Sequence, residues 1–307
     1  MKNEFHIAFG VDTIYAPKMC VTIASILENN KNSNIIFHVI YNDLSDKVID
    51  EIKKSMLTLQ AEINFHFIDV DLSIFPKFSN FSHITSGAFL RFFIPELLQG
   101  LTDRALYLDA DIICINNISD LFHLEMDENE ILAVVEDIDS ETYLNENASF
   151  QKRYFNSGVL MMDIEKWNKN NVYGQLLSVL NEKGSGFNLI DQDALNLVMI
   201  DKVHYLDNIW NYMINAEQLD KKKEKYSVPE NAKFIHFVGP VKPWHCYNIF
   251  DDITGLYLNY QKKTVWDGLE MPKNYKEMRR YARYSFKKGN YLTGLNWGMR
   301  YIKTKFL

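Results

Sequence analysis

Between Phe5 and Val70 the chain alternates between two hydrophobic periods, and that alternation decides its fold class. Phe5-His6-Ile7-Ala8-Phe9-Gly10 is a short apolar run suited to a buried strand, followed by a turn at Gly10-Val11-Asp12. From Pro17 to about Asn29, Cys20, Ile23, Ala24 and Leu27 recur at helical spacing. Ile35–Tyr41 is β-branched and aromatic, residues 45–59 carry Val48, Ile52 and Met56 on one helical stripe, and Ile63–Val70 reads as a third strand. Strands separated by helices form βαβ units, which build parallel sheet. The expected class is therefore α/β, a Rossmann-like, mostly parallel mixed sheet flanked by helices, with ligands beyond the carboxyl ends of its strands.

The pattern continues. Residues 84–99 are expected to be helical, broken or kinked at Pro95. Ala105–Leu108 is a fourth strand and Leu132–Val135 a fifth, ending at Glu136-Asp137. Residues 139–153 read as a loop or short helix over the site, Val159–Met162 as a strand, 164–183 and Asp191–Met199 as helices, and Lys233–Val238 as the last strand. The run Lys221-Lys222-Lys223-Glu224-Lys225 is a solvated loop. Aromatic residues at 14% supply ample core, and 13 Gly and 7 Pro exclude collagen-like sequence. Cys20, Cys114 and Cys246 include no Cys-x-x-Cys pair, which fits a reducing compartment. No apolar run approaches the roughly 20 residues of a membrane span. Met1-Lys2-Asn3-Glu4 leads straight into strand sequence, so no signal peptide is expected.

The net charge of −7 conceals a split. Residues 271–307 hold ten Lys/Arg and one acid, Glu277, a balance of +9, whereas the remaining 23 bases and 39 acids give −16. Two domains are expected: a catalytic domain over 1–260 and a basic, aromatic, α-helical region over 261–307. In the latter, Tyr281, Tyr284 and Lys288 share a helical face, and Trp297 and Tyr301 follow. Bases interleaved with Trp, Tyr and Phe suit an interfacial helix on an anionic membrane. A plain helical hairpin packed on the body is the alternative. Nucleic acid is not expected as a partner, since the acidic body has no wider basic groove.

The sharpest motif is Leu106-Tyr107-Leu108-Asp109-Ala110-Asp111. Residues two apart on a strand point the same way, so two carboxylates converge at a strand's carboxyl end. They repel unless a cation lies between them, and oxygen ligands suit Mg²⁺ or Mn²⁺. Strand-end acids capping the next element are the alternative. An aspartyl-nucleophile phosphatase usually has a hydroxyl residue two positions beyond the second Asp, where this chain has Ile113. The second motif is Phe234-Ile235-His236-Phe237-Val238-Gly239-Pro240-Val241-Lys242-Pro243-Trp244-His245. His236 is either a satisfied core histidine or an imidazole completing a metal shell, and Lys242 is a cation suited to phosphate.

Taken in order, these blocks resemble the retaining glycosyltransferases of family 8, the bacterial group that includes lipooligosaccharide galactosyltransferases and lipopolysaccharide glucosyltransferases. The resemblance covers roughly residues 5–250. It rests on Asp12 and Tyr15, Arg91, the Asp109-Ala110-Asp111 block, Phe155-Asn156-Ser157-Gly158-Val159, Asp191-Gln192-Asp193 and the His236–His245 block. It implies a GT-A fold and a Mn²⁺-dependent UDP-sugar site, Mg²⁺ being the other candidate. By motif, Asp109, Asp111 and His236 ligate the metal. Gly10, Val11 and Asp12 contact uridine, and Tyr15 stacks on uracil. Gly239 and Lys242 hold the diphosphate, and Arg91, Asp137, Asn156, Asp191 and Gln192 surround the sugar. Thr13 and Ile14 stand where close relatives often carry an acid or Asn.

The expected reaction moves galactose or glucose from a UDP-sugar to a cell-surface glycan or glycolipid, with Gln192, Asp191 and Asp137 nearest the chemistry. Same-face attack follows from the resemblance, and Asp191 is the rival nucleophile. A self-glucosylating protein of glycogenin type and a UDP-sugar-binding protein without transfer activity are the alternatives. The expected location is cytoplasmic, peripheral to the inner face of the cytoplasmic membrane.

Overall fold

The computed structural model describes residues 4–68, 87–146, 150, 153–218, 227–248 and 251–306. The opening alternation folds as its periodicity requires: β1 (Glu4–Gly10), a helix over Ala16–Asn29, β2 (Asn34–Tyr41), a helix over Asp46–Leu59 and β3 (Glu62–Phe67). Pro17 sits in the first turn of its helix, where its missing N–H is not needed. Ser45 caps the second helix by accepting from Val48 N at 3.4 Å. The expected end of the third strand, Asp69-Val70, and the Lys221–Lys225 run lie outside the described residues.

Next come β4 (Arg104–Leu108), β5 (Ile112–Cys114), β6 (Leu132–Glu136), β7 (Phe155–Asp163) and β8 (Val203–Leu206). A seven-stranded sheet runs β3-β2-β1-β4-β7-β6-β8, parallel except for β7, which is antiparallel to both β4 and β6. Two short strands, β9 (Tyr212–Met213) and β10 (Phe234–His236), join β5 in a second sheet of order β5-β10-β9. Strand order reverses at β1, with β2 and β3 to one side and β4 to the other. That reversal opens a crevice beyond the strand ends, between Gly10–Tyr15 and Asp109–Asp111.

Alternation along β4 feeds two cores. Leu106 and Leu108 pack with Ile7, Phe9 and Phe37 on one face; Ala105 and Tyr107 pack with Ala8, Ile40, Phe92 and Trp167 on the other. Each large side chain fully buried this way contributes roughly 1.5–3 kcal/mol. A third cluster, with Ile113, Ile235, Phe237, Trp244 and Tyr257, lies at the small sheet.

Several elements differ from the sequence expectation. The 84–99 helix is three pieces among its described residues: Gly87–Leu90, a 3₁₀ turn over Arg91–Phe93, and Ile94–Leu97 with Pro95 in its first turn. The 164–183 helix is two, Ile164–Lys169 and Val172–Lys183. They part at Asn171, whose φ of 48° leaves the helical region and whose side chain caps Gly174 N. The last strand is confined to β10, whereas the short helix allowed for in 139–153 is present over Ser140–Glu146. Residues 275–306 form a helical hairpin, Tyr275–Lys287 and Tyr291–Phe306, with Ala282, Ser285, Gly294 and Trp297 buried.

Candidate active site

Asp109 and Asp111 occupy the turn between β4 and β5, so two sheets meet at this motif. Backbone contacts hold the turn from three sides. Asp109 N donates to Gly158 O at 2.8 Å, Phe237 N donates to Asp111 O at 3.0 Å, and the buried Thr22 hydroxyl donates to Ala110 O at 3.1 Å and Ile112 O at 2.7 Å. The antiparallel register of β10 on β5 sets His236 opposite Ile112. Asp109, Asp111 and His236 consequently offer ligand atoms all within 4.8 Å of one another. His236 Nε2 is 3.2 Å from Asp111 Oδ1 and 3.8 Å from Asp109 Oδ2.

This donor set fits a divalent cation. Asp111 Oδ1 is buried and makes no aligned hydrogen bond, an expensive condition for a carboxylate oxygen unless something else engages it. Two hard oxygens and one imidazole suit Mn²⁺ and, less well, Mg²⁺. Lys242 Nζ lies 2.6 Å from Asp111 Oδ2 and also donates to Phe237 O. Burial alone would raise the Asp111 carboxyl, but Lys242 and His236 outweigh it and hold the group below the usual carboxylate range. Gly158 makes the close approach possible: a Cβ there would stand 2.3 Å from His236 Cε1 and 2.9 Å from Asp109 Oδ2.

A cleft of about 220 Å³ opens beside the triad, lined in part by Gly10, Asp12, Tyr15, Arg91, Ala110 and Asp191. Arg91 is buried and spreads its guanidinium over four partners. Its Nε donates to Ala88 O at 2.8 Å, and one terminal nitrogen donates to both Ser157 O and Oγ at 2.7 Å. The other terminal nitrogen is 3.1 Å from Asp109 Oδ1 and 3.4 Å from Asp191 Oδ2. Burial raises the Asp191 carboxyl above its ordinary range, Arg91 offsets part of that rise, and Asp109 adds to it. Tyr107 donates to Asp109 Oδ1 at 2.5 Å beneath the guanidinium.

Other expected residues sit differently. Gln192 and Asn156, the latter near the start of β7, are buried and do not line the cleft. Gln192 Oε1 accepts from Ser157 N at 2.9 Å and from Asn156 Nδ2 at 3.2 Å. Both amides donate to Asp137 Oδ2, at 3.2 Å and 3.0 Å respectively. Asp193 caps its own helix, accepting from Asn188 N and Leu189 N. Asp12 commits Oδ1 to Ile14 N and Tyr15 N, an Asx turn that starts the first helix. Val11 is a core residue whose N–H donates to Ile40 O. The Tyr15 ring meets Trp244 edge-on at 6.4 Å. Gly239 takes a φ of 78°, which favours glycine, and carries the chain towards Lys242.

Two residues that the motifs did not single out complete the arrangement. Asn211 is fully buried between His236 and Asn156, and Ser157 joins Arg91 to Gln192. Asn211 lies in Trp210-Asn211-Tyr212, where no periodicity or spacing marks it. Ser157 lies within Phe155-Asn156-Ser157-Gly158-Val159, where nothing in the sequence gives its hydroxyl a partner.

Comparison with known proteins agrees with this geometry. The model for glycosyl transferase family 8 matches residues 6–247, and that for the family 8 C-terminal region matches residues 253–305. A lipopolysaccharide 1,3-galactosyltransferase of Salmonella typhimurium is 29% identical, over 99% of this chain and 92% of that protein. A lipopolysaccharide 1,2-glucosyltransferase of Escherichia coli is 31% identical, over 80% of this chain and 74% of that protein. Among solved structures, an active-site mutant of LgtC superposes with a TM-score of 0.73 at 20% identity, covering 86% of this chain and 97% of LgtC. That likeness establishes the GT-A fold. The chain belongs to glycosyl transferase family 8 and is a glycosyltransferase.

Proposed function

We propose that this glycosyltransferase moves galactose or glucose from a UDP-sugar to a glycan acceptor such as the lipopolysaccharide or lipooligosaccharide core, with retention at the anomeric carbon. The observation that carries this reading is the convergence of Asp109, Asp111 and His236 with Arg91 and Lys242 at the β1/β4 crevice. The named activities of the curated relatives supply the sugars and the acceptor class.

Asp109, Asp111 and His236 would hold Mn²⁺, with Mg²⁺ as the weaker fit. A bound divalent cation supplies positive charge beside the diphosphate leaving group. Lys242 is placed to add a second positive charge there, released from Asp111 to the phosphates. Gly10, Val11 and Asp12 would border the uridine, with Tyr15 against the base. Arg91 fixes Asp109 and Asp191 side by side, so Asp191 presents its carboxyl to the sugar in one orientation. Asp137, Asn156 and Gln192 form the wall behind it. Gln192 Oε1 is already engaged, which leaves it poor as a nucleophile and suited to positioning. Attack from the leaving-group face is the mechanism we favour, with a donor phosphate oxygen accepting the acceptor's proton. A glycosyl adduct trapped on Asp191 and seen by mass spectrometry would overturn it.

We also read residues 1–260 as the catalytic domain and 261–307 as a region that holds the enzyme on anionic lipid at the cytoplasmic membrane. No helix among the described residues is long and apolar enough to cross a membrane. Leu292, Leu295, Met299, Ile302 and Phe306 are all exposed on the last helix, among basic residues. The test of the reaction is UDP release across UDP-sugars with Mn²⁺, comparing wild type with Asp111→Ala. Release with UDP-galactose or UDP-glucose that the variant loses is the expected result. No release from any UDP-sugar would overturn the reading, and a ladder in the enzyme's own intact mass would replace it with self-glucosylation.

A further inference from the structure

His236 and Gln192 belong to opposite ends of the site, yet buried amides join them, and two backbone N–H groups decide which way every amide points. The N–H of Gly158 is 3.0 Å from Asn156 Oδ1. A backbone N–H only donates, so that atom of Asn156 is its carbonyl oxygen. The same oxygen faces Asn211 at 2.9 Å, so the Asn211 atom there is the NH₂ group. Its other end, the carbonyl oxygen, then faces His236 Nδ1 at 3.0 Å. An oxygen at that distance requires a proton on Nδ1. Nε2, the nitrogen that faces Asp111 and Asp109, is then the one whose lone pair a cation would take, any proton on it being displaced when the cation binds. The other branch agrees: Ser157 N, a second donor-only group, fixes Gln192 Oε1, and the Asn156 NH₂ faces that oxygen and Asp137 Oδ2.

We infer that Asn211 is a positioning residue: it holds His236 in the Nδ1–H tautomer that a metal ligand needs at Nε2, and it ties that imidazole to the Asn156–Gln192–Asp137 wall. The inference rests on the metal and donor sites proposed above. Metal-ligating histidines generally donate their second N–H to an acceptor that fixes tautomer and ring orientation. Here the acceptor is an amide, which also donates onward, so one residue serves both sides. Asn211 is 0% exposed, and its two polar ends face Asn156 Oδ1 and His236 Nδ1.

Two substitutions separate its two contacts. Asn211→Asp keeps an oxygen for His236 Nδ1–H but sets an oxygen against Asn156 Oδ1. Asn211→Leu, close in volume, removes both contacts. Calorimetric Mn²⁺ binding to the full chain without donor is expected to weaken about 10–100-fold in Asn211→Leu and to stay at wild-type strength or tighter in Asn211→Asp. In Asn211→Asp, kcat for UDP release should fall about tenfold with KM for the donor changed less. The tautomer is read directly in metal-free wild type by long-range ¹H–¹⁵N NMR of His236, with Nδ1 expected to carry the proton. An Nδ1 without a proton there would overturn the inference whether or not either variant folds. Wild-type Mn²⁺ affinity retained in a folded Asn211→Leu would overturn it as well. Absence of Mn²⁺ binding by wild type, with the Nδ1–H tautomer present, would instead sink the metal reading and leave the tautomer assignment standing.

Discussion

Lys242 and Asp111 form a largely buried ion pair, Nζ to Oδ2 at 2.6 Å, inside the triad proposed for a metal. The ammonium thus supplies, in this structure, positive charge that Asp111 needs. Replacing it with the apolar Lys242→Met leaves a buried carboxylate uncompensated, a loss of about 3–5 kcal/mol in comparable sites. The variant should unfold at a lower temperature than wild type in metal-free buffer. Millimolar Mn²⁺ should then raise its midpoint by more than it raises that of wild type, because ligand bound to the native state adds stability by mass action. Equal shifts in the two proteins would show that Lys242 and the cation do not serve the same carboxylate.

Arg91 offers a sharper test of geometry than of charge. Its planar fork reaches Ala88 O, Ser157, Asp109 and Asp191 together. A lysine ammonium keeps the charge but cannot span those directions. Arg91→Lys should therefore lower kcat/KM by roughly 100-fold, equivalent to about 2.7 kcal/mol of transition-state stabilisation. Steady-state UDP release measures it, and a variant within threefold of wild type would mean that charge alone suffices.

The βαβ order was legible because long amphipathic segments declare their period, as in 16–29 and 46–59. Asp109, Asp111 and His236 were legible because strand ends and a His-containing apolar run are local features. What escaped depends on chain packing. β9 has two residues and β5 three, too few for any periodicity, and their partner β10 lies more than 100 residues beyond β5. The antiparallel insertion of β7 leaves no mark on its own apolar run. Asp191 lines the cleft while its neighbour Gln192 is turned to the Ser157 N–H of β7, a difference set by how their helix docks. Asn171 breaks a helix that residue pattern alone continues.

A row of imidazoles crosses three parallel strands. His6 Nδ1 is 2.9 Å from His38 Nε2, and His38 Nδ1 is 3.0 Å from His66 Nε2. Burial lowers all three, with His38 pushed from 6.5 down to about 3; Glu4 and Glu62 oppose the drop at His6. The unfolded chain takes up protons near pH 6.5 while these rings stay neutral in the fold. Stability then rises with pH through that window and is lost as pH falls from 6.5 towards 3. Urea midpoints at pH 7.5 and pH 5 should differ less in His38→Phe than in wild type. An unchanged difference would assign the acid sensitivity elsewhere.

The last helix carries Leu292, Leu295, Met299, Ile302 and Phe306 at alternating spacings of three and four, all exposed, with Leu292 at 83%. Such spacing makes a single apolar stripe. The buried contacts of the hairpin use other residues: Trp297 against Tyr281 at 5.3 Å, and Gly294 under Phe286. Arg300, Lys303 and Lys305 lie on the same helix, and each base near an anionic surface adds about 1 kcal/mol of attraction. A stripe left out of the hairpin core and accompanied by positive charge fits insertion at the headgroup level. The triple variant Leu295→Ser, Met299→Ser, Ile302→Ser should sediment with phosphatidylglycerol-containing vesicles several-fold less than wild type, while UDP release with a soluble acceptor is unchanged. Wild-type binding should weaken at high salt and be absent from neutral vesicles, since screening removes the electrostatic part. Equal recovery of variant and wild type on anionic vesicles would show that this stripe does not hold the enzyme to lipid.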